Sequence, residues 1–309
     1  MEARRKSVVV GKDEGLTVWS ATDRVTLKVR SEHTAGEFAL AECAIAPGGG
    51  PPPHVHLRAD HMFYVLRGEV SFLVEEATFT AGPGNAIYVP RGTVHTFTNP
   101  SADELAHVLV WASSSNFESF MLEFGVPVKK SLGPPAVDGA LARRLLAAAD
   151  RHGIQLLPEH KPTIRLEAPP VPKALGVLGQ RVTLKLIGRM TDERMCAALL
   201  DVTPGNGVPP HRHRREDEIF YVTSGALEFL VGGAWHVAPA GTTVFVPRGT
   251  FHGFRAMGNL PAQTLSIHTP AGFEHFFTEM GGLTIHGAEP SEPSAIAHML
   301  EKHGMEVPV

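Results

Sequence analysis

Two stretches decide the fold: PPPHVHLRADHMFYVLRG at Pro51–Gly68 and VPPHRHRREDEIFYVTSG at Val208–Gly225. One constant shift of 157 residues brings His54 onto His211, His56 onto His213 and Gly68 onto Gly225. The same shift carries RVTLK (Arg24–Lys28) onto Arg181–Lys185, and PRGTVHTF (Pro90–Phe97) onto PRGTFHGF (Pro247–Phe254). Further on, NFESFMLEFG (Asn116–Gly125) pairs with GFEHFFTEMG (Gly272–Gly281). The tails Asp138–Gly153 and Ser291–Gly304 both carry apolar residues at helical spacing and stop at a glycine. A 309-residue chain that repeats in this way is two copies of one domain. The reading assigns residues 1–157 to an N-terminal barrel with a helical tail and 158–173 to a proline-rich linker ending in EAPPVP. Residues 174–309 form a C-terminal barrel with its own tail.

Within each copy the pattern is all-β. EFALAECAI, MFYVLRGEVSFLV, NAIYVP and AHVLVWA alternate apolar and polar positions and are rich in β-branched and aromatic residues, with Gly and Pro at short intervals. That is the pattern of short strands in sandwiches and small barrels. Helices are expected only in the tails.

Composition narrows the function classes. Hydrophobic residues make up 43% and charged residues 19%, as in an ordinary globular protein. The net charge of −4 comes without a basic stripe interleaved with aromatics, which argues against a nucleic-acid partner. The start MEARRK precedes only the short Val8–Val10 run, so no signal peptide is expected. No apolar stretch reaches the length of a membrane span. Cys43 and Cys196 stand far apart in apolar runs, which predicts buried thiols in a reducing, cytoplasmic setting.

The 17 histidines are the compositional anomaly. Residues i and i+2 of a strand point to one face, so His54 with His56, and His211 with His213, can converge on a point. Glu218 lies five residues beyond His213; the HRREDE turn between them resets the parity and puts Glu218, Phe220 and Val222 on one face. His95 and His252 follow the turn Pro-Arg-Gly-Thr, which aims their strand back across the barrel. Four convergent N/O ligands suit a divalent transition ion: Fe, Mn, Ni, Cu, Co or Zn, one per barrel. Any single histidine is more often a core or surface residue; it is the matched recurrence that points to metal.

These residues resemble the two motifs of the cupin superfamily. G-x5-H-x-H-x4-E-x6-G matches Gly205, His211, His213, Glu218 and Gly225, and G-x5-P-x-G-x2-H-x3-N matches Gly84, Pro90, Gly92, His95 and Asn99. The paired arrangement resembles the two-domain cupins over nearly the whole chain, which implies two tandem jelly-roll barrels. There are two departures. His61 stands where the motif has glutamate, so the resemblance implies a first set of His54, His56, His61 and His95. Ala256 replaces the asparagine of the second motif in the second copy. Asp60 neighbours His61 and should face the other way. Four imidazoles leave an ion its full charge, whereas three with Glu218 reduce it by one and keep a carboxylate beside the substrate.

Phe63, Val65 and Phe97 in the first barrel, and Phe220, Val222 and Phe254 in the second, are expected to wall a pocket for a flat organic molecule. The competing reading is that they simply fill the barrel. Arg91 and Arg248 either steer an anionic substrate or brace a turn. The leading functional expectation is a dioxygenase similar to the bicupin quercetin dioxygenases, acting on an aromatic or enolic small molecule with dioxygen, Glu218 taking the proton. An oxygen-independent bicupin isomerase or decarboxylase is the second reading, and a non-catalytic binding cupin the third. Homo-oligomerisation is left open.

Overall fold

Alternation of apolar residues makes the expected runs into strands, among them Phe38–Ile45, His61–Arg67, Val70–Val74, Ala86–Val89 and Ala106–Ser113 in the first copy. Cys196–Val202, Asp217–Ser224, Ala226–Val231, Thr243–Val246 and Ala262–Thr269 are their partners in the second. The computed structural model describes residues 5–129, 133–167, 172–285 and 292–308.

The chain divides into two compact units, one holding Gly15–Val171 and the other Pro172–Val309 with Arg4–Glu14. Each unit is built from two sheets. In the first, a seven-stranded sheet centred on Phe38–Ile45 and Ala106–Ser113 accompanies a six-stranded sheet carrying His54–His56 and Val94–Thr98. In the second, a seven-stranded sheet centred on Ala262–Thr269 accompanies a five-stranded sheet carrying Gly207–His213 and His252–Ala256. Side chains from both sheets meet in an apolar core in each unit: Phe63 lies 5.6 Å from Phe72, and Phe220 lies 4.9 Å from Phe229, between ring centroids. Offset aromatic pairs of this kind strengthen a core beyond the area they bury.

The tails hold the histidine strands. In the first unit helix Gly139–His152 is capped by Asp138, whose side chain accepts from the amides of Ala140 and Leu141, and it ends on Gly153 at φ 65°. The chain then turns back as strand Ile154–Leu156, which pairs antiparallel with His54–His56. In the second unit Met305–Glu306, after helix Pro293–Lys302, pairs with Arg212 and His213 in the same way. The histidine strand is thereby fixed on both edges, by its barrel neighbour and by its own tail.

Three expectations need correction. Val8–Val10 does not belong with the first barrel: it pairs antiparallel with Thr243–Val246 and extends the large sheet of the second unit, so the domain boundary at residue 1 shifts to Gly15. The strand Thr243–Val246 has a free edge, and a β-branched triplet satisfies it. The linker is also not all spacer, since Ile164–Arg165 runs parallel to Ala77–Thr78 as an edge strand of the first unit. Residues 168–171, most of EAPPVP, lie outside the described residues. Helix is not confined to the tails either: helices Asn116–Phe124 and Glu274–Ile285 follow the last barrel strands, and a single turn at Ser31–Thr34 and a 3-10 turn at Gly188–Met190 precede the central strands.

Candidate metal centres

In the second barrel the alternation along Gly207–His213 turns His211 and His213 inward, and the facing strand places His252 opposite His211. Asp217–Ser224 adds Glu218. One nitrogen or carboxylate oxygen from each of His211, His213, Glu218 and His252 lies within 4.8 Å of every other, and all four residues are buried. His211 Nε2 is 3.2 Å from His213 Nε2, and Glu218 Oε2 is 2.9 Å from His252 Nε2 and 3.4 Å from His213 Nε2.

Backbone carbonyls set the direction of these donors. His211 Nδ1–H donates to the Pro209 carbonyl at 2.9 Å, and His252 Nδ1–H to the Thr250 carbonyl at 3.0 Å. A carbonyl only accepts, so both rings carry their proton on Nδ1 and present the Nε2 lone pair to the centre. His252 Nε2 then meets a carboxylate oxygen at 2.9 Å, lone pair against lone pair. Such a contact is stable only with a positive charge between the two atoms, either a proton or a metal ion. The donor set therefore fits a divalent cation on the geometry of its own atoms. Burial alone would raise the Glu218 carboxyl, yet the imidazoles of His268, His213 and His252 outweigh it and hold the group well below the usual carboxylate range.

The first barrel repeats the arrangement with three residues. His54, His56 and His95 gather within 4.8 Å, with His54 Nδ1 donating to Pro52 and His95 Nδ1 to Thr93. His61 does not complete this set. Its ring packs against His56 at 4.2 Å and edge-on to Phe117 at 5.5 Å, and its Nε2 is buried without a hydrogen-bond partner. The expected four-imidazole cluster is thus a three-imidazole cluster with a fourth ring beside it.

Burial, followed by neighbouring imidazoles, pushes His54 and His211 down to about 3. An unfolded histidine titrates near 6.5, so between these values the unfolded chain binds protons that the folded chain excludes. The sign follows: stability is full above about pH 7 and is lost as pH falls from 6.5 toward 3, by about 1 kcal/mol per pH unit for each histidine. Urea unfolding of metal-stripped protein should accordingly show a lower midpoint at pH 5 than at pH 7; an unchanged midpoint would contradict the buried neutral rings.

Above each cluster lies a cavity, of about 140 Å³ in the first barrel and about 130 Å³ in the second. Phe63, Phe97 and Phe254 line them as expected. Val65, Phe220 and Val222 are not among their lining residues and are buried in the apolar cores. The missing wall comes from the helix that follows the last barrel strand of each unit: Phe117, Phe120 and Phe124 of Asn116–Phe124 in the first barrel, and Phe276 and Phe277 of Glu274–Ile285, with Phe273 just before it, in the second. Their helical spacing in NFESFMLEFG and GFEHFFTEMG was the available signal. Arg91 and Arg248 are braces. Each makes a two-pronged contact with a buried aspartate, Asp60 or Asp217, and its own backbone amide donates to the same carboxylate. Cys43 and Cys196 are buried free thiols pushed upward by burial.

Sequence reasoning also missed a second layer of polar groups in the second barrel. Ser266 and His268, on Ala262–Thr269, contact Glu218 Oε1 at 2.9 and 3.4 Å. Glu216 Oε2 faces His213 Nδ1 at 3.6 Å.

Two such barrels, each gathering imidazoles on matched strands beneath an apolar cavity, define a duplicated jelly-roll protein with metal-capable centres, which is the architecture of the cupins. The family described as Cupin domain matches residues 41–111 and again residues 198–268, one stretch in each barrel. The chain is similar to putative germin-like protein 12-3 of Oryza sativa subsp. japonica, 30% identical over 146 residues, covering 43% of this chain and 62% of that protein. The chain thus spans somewhat under two thirds of that relative. It is also similar in structure to the Lactobacillus farciminis oxalate decarboxylase formate complex, with a TM-score of 0.59 and 12% identity over 95% of this chain and 96% of that one. A Bacillus subtilis oxalate decarboxylase, studied for its Mn(II) centres, matches with a TM-score of 0.57 and 16% identity over 100% of this chain and 92% of that one. At these identities the structural likeness is one of fold. The matches support a bicupin and do not single out the quercetin dioxygenases within that class. No helix among the described residues is long and apolar enough to cross a membrane.

Proposed function

We propose that this chain is a metal-dependent dioxygenase whose chemistry lies in the second barrel and whose substrate is a neutral aromatic or enolic molecule with an acidic hydroxyl. The observation that carries this reading is the character of the second cavity: Glu218 and two imidazoles sit at its floor, and no Lys or Arg is among the described residues that line it. A small dicarboxylate entering there would lose its hydration and meet no cationic side chain, with the bound ion as its one positive partner and the Glu218 charge beside it. A hydroxylated ring meets apolar walls and a carboxylate able to accept its proton. The volume also suits one ring, since an apolar cavity of about 150 Å³ takes up benzene.

Metal binding by His211, His213, Glu218 and His252, and by His54, His56 and His95 with His61 beside them, is part of the proposal. A divalent ion held there would supply Lewis acidity toward a hydroxyl. The Mn(II) centres of the Bacillus subtilis oxalate decarboxylase make Mn the first ion to test, ahead of Fe, Ni, Cu, Co and Zn. Phe254 and Phe273 shield the reacting hydroxyl from water, and Glu218 Oε2 is the proton acceptor on the cluster side. Dioxygen is the co-substrate, and both its atoms enter the product.

The experiment is oxygen uptake by metal-loaded protein offered catechols, β-diketones and flavonols. Consumption of one dioxygen per substrate is expected, with no turnover under strict anaerobiosis. Turnover without oxygen would assign the chain instead to the isomerase or decarboxylase class.

A further inference from the structure

Glu218 has two carboxylate oxygens, and the structure uses them differently. Oε2 faces the imidazole cluster, 2.9 Å from His252 and 3.4 Å from His213. Oε1 turns away and meets the Ser266 hydroxyl at 2.9 Å. A deprotonated carboxylate only accepts, so Ser266 donates to it, and Ser266 Oγ in turn accepts from His268 Nε2–H at 2.8 Å. His268 and Ser266 form a directed chain of hydrogen bonds that ends on the Glu218 carboxylate, all three residues buried, in which each bond polarises the next.

The first barrel supplies the internal comparison. Across the sheet Glu218 stands opposite His268 and Phe220 opposite Ser266; at the matched places His61 stands opposite Ala112 and Phe63 opposite Val110. The barrel with a carboxylate carries the hydroxyl and the imidazole, and the barrel with an imidazole carries two apolar residues. A hydroxyl and an imidazole buried in a core are costly unless they are hydrogen-bonded, and here their partner is the carboxylate.

We propose that Ser266 and His268 are positioning residues for Glu218, holding Oε1 outward so that Oε2 alone faces the metal-binding point. This rests on the reading that the second barrel binds a metal. It makes Glu218 a one-oxygen partner of the ion, and it makes the proton acceptor a group of fixed orientation, without any role for Ser266 or His268 in touching substrate.

The test uses Co(II)-loaded full-length protein carrying His54→Ala, so that the visible ligand-field spectrum reports the second barrel. Ser266→Ala is expected to shift that spectrum and to weaken Co(II) binding by about 10–100-fold, the usual cost of losing a group that orients a ligand. Ser266→Thr, which keeps the hydroxyl, should restore both. In a Glu218→Gln background Ser266→Ala should add no further loss, because the two residues act as one unit. A folded Ser266→Ala protein with unchanged spectrum and affinity overturns the proposal, as does an equal loss in the Glu218→Gln background. Should Ser266→Ala fail to fold, His268→Leu against His268→Gln gives the same comparison: the spectrum moves for leucine alone if the proposal holds, and movement in neither overturns it. No Co(II) spectrum in the parent protein overturns the metal reading itself and the positioning role with it, which separates the two failures.

Discussion

Glu218→Gln should lower kcat/KM by at least about 100-fold while leaving the barrel folded, because a positioned general base contributes about 10²–10⁴. Glutamine keeps the shape of the side chain and an oxygen for Ser266, so the packing around it, including the buried Phe220 and Ile219, has no reason to move. What it removes is the negative charge facing His252 and His213, and with it both the proton acceptor and one unit of compensation for a divalent ion. The first barrel provides the control. His61→Ala deletes a ring that stands beside the His54, His56 and His95 cluster without closing it, and turnover should stay within a few-fold of wild type. Steady-state oxygen uptake on both variants decides the matter. Full activity in Glu218→Gln with loss in His61→Ala would move the chemistry to the first barrel.

Removing metal is expected to cost stability at both centres. Each cluster brings ligand atoms together in a buried site, His252 Nε2 and Glu218 Oε2 at 2.9 Å and His54 Nε2 and His56 Nε2 at 3.0 Å. An ion present at about 100 times its dissociation constant stabilises the folded state by about 2.7 kcal/mol per site. For a domain of this size that corresponds to a rise in Tm of about 5–10 °C. Calorimetry of chelator-treated protein, then of the same sample with Mn(II) restored, should show that drop and its recovery. An unchanged Tm through both steps would remove the ion from the energetics of the fold.

The parts of this molecule that could be read from sequence are those encoded by local periodicity. His211 and His213 at i and i+2, and the constant shift that sets His54 and His56 beneath them, follow from the two-residue period of a strand. Helix Gly139–His152 follows from its apolar spacing, its Asp138 cap and its Gly153 stop. The unread parts depend on pairing between distant segments. Ser266 and His268 have no spacing of their own to mark them, and only the register of Ala262–Thr269 against Asp217–Ser224 brings His268 opposite Glu218. Phe220 and Val222 share a face with Glu218, as the alternation required, but the cavity is walled by Phe273, Phe276 and Phe277 at helix Glu274–Ile285, and Phe220 and Val222 are in the core instead. His61 occupies the position of Glu218, yet its ring packs against both His56 and Phe117, and the second of these contacts is one that no strand pattern announces.

The most direct test is the metal content of the purified protein, measured per chain by elemental analysis. Close to two equivalents of one divalent transition metal are expected, with one lost in His211→Ala and the other in His54→Ala. A protein that carries no stoichiometric metal, and takes up none on reconstitution, would contradict the account.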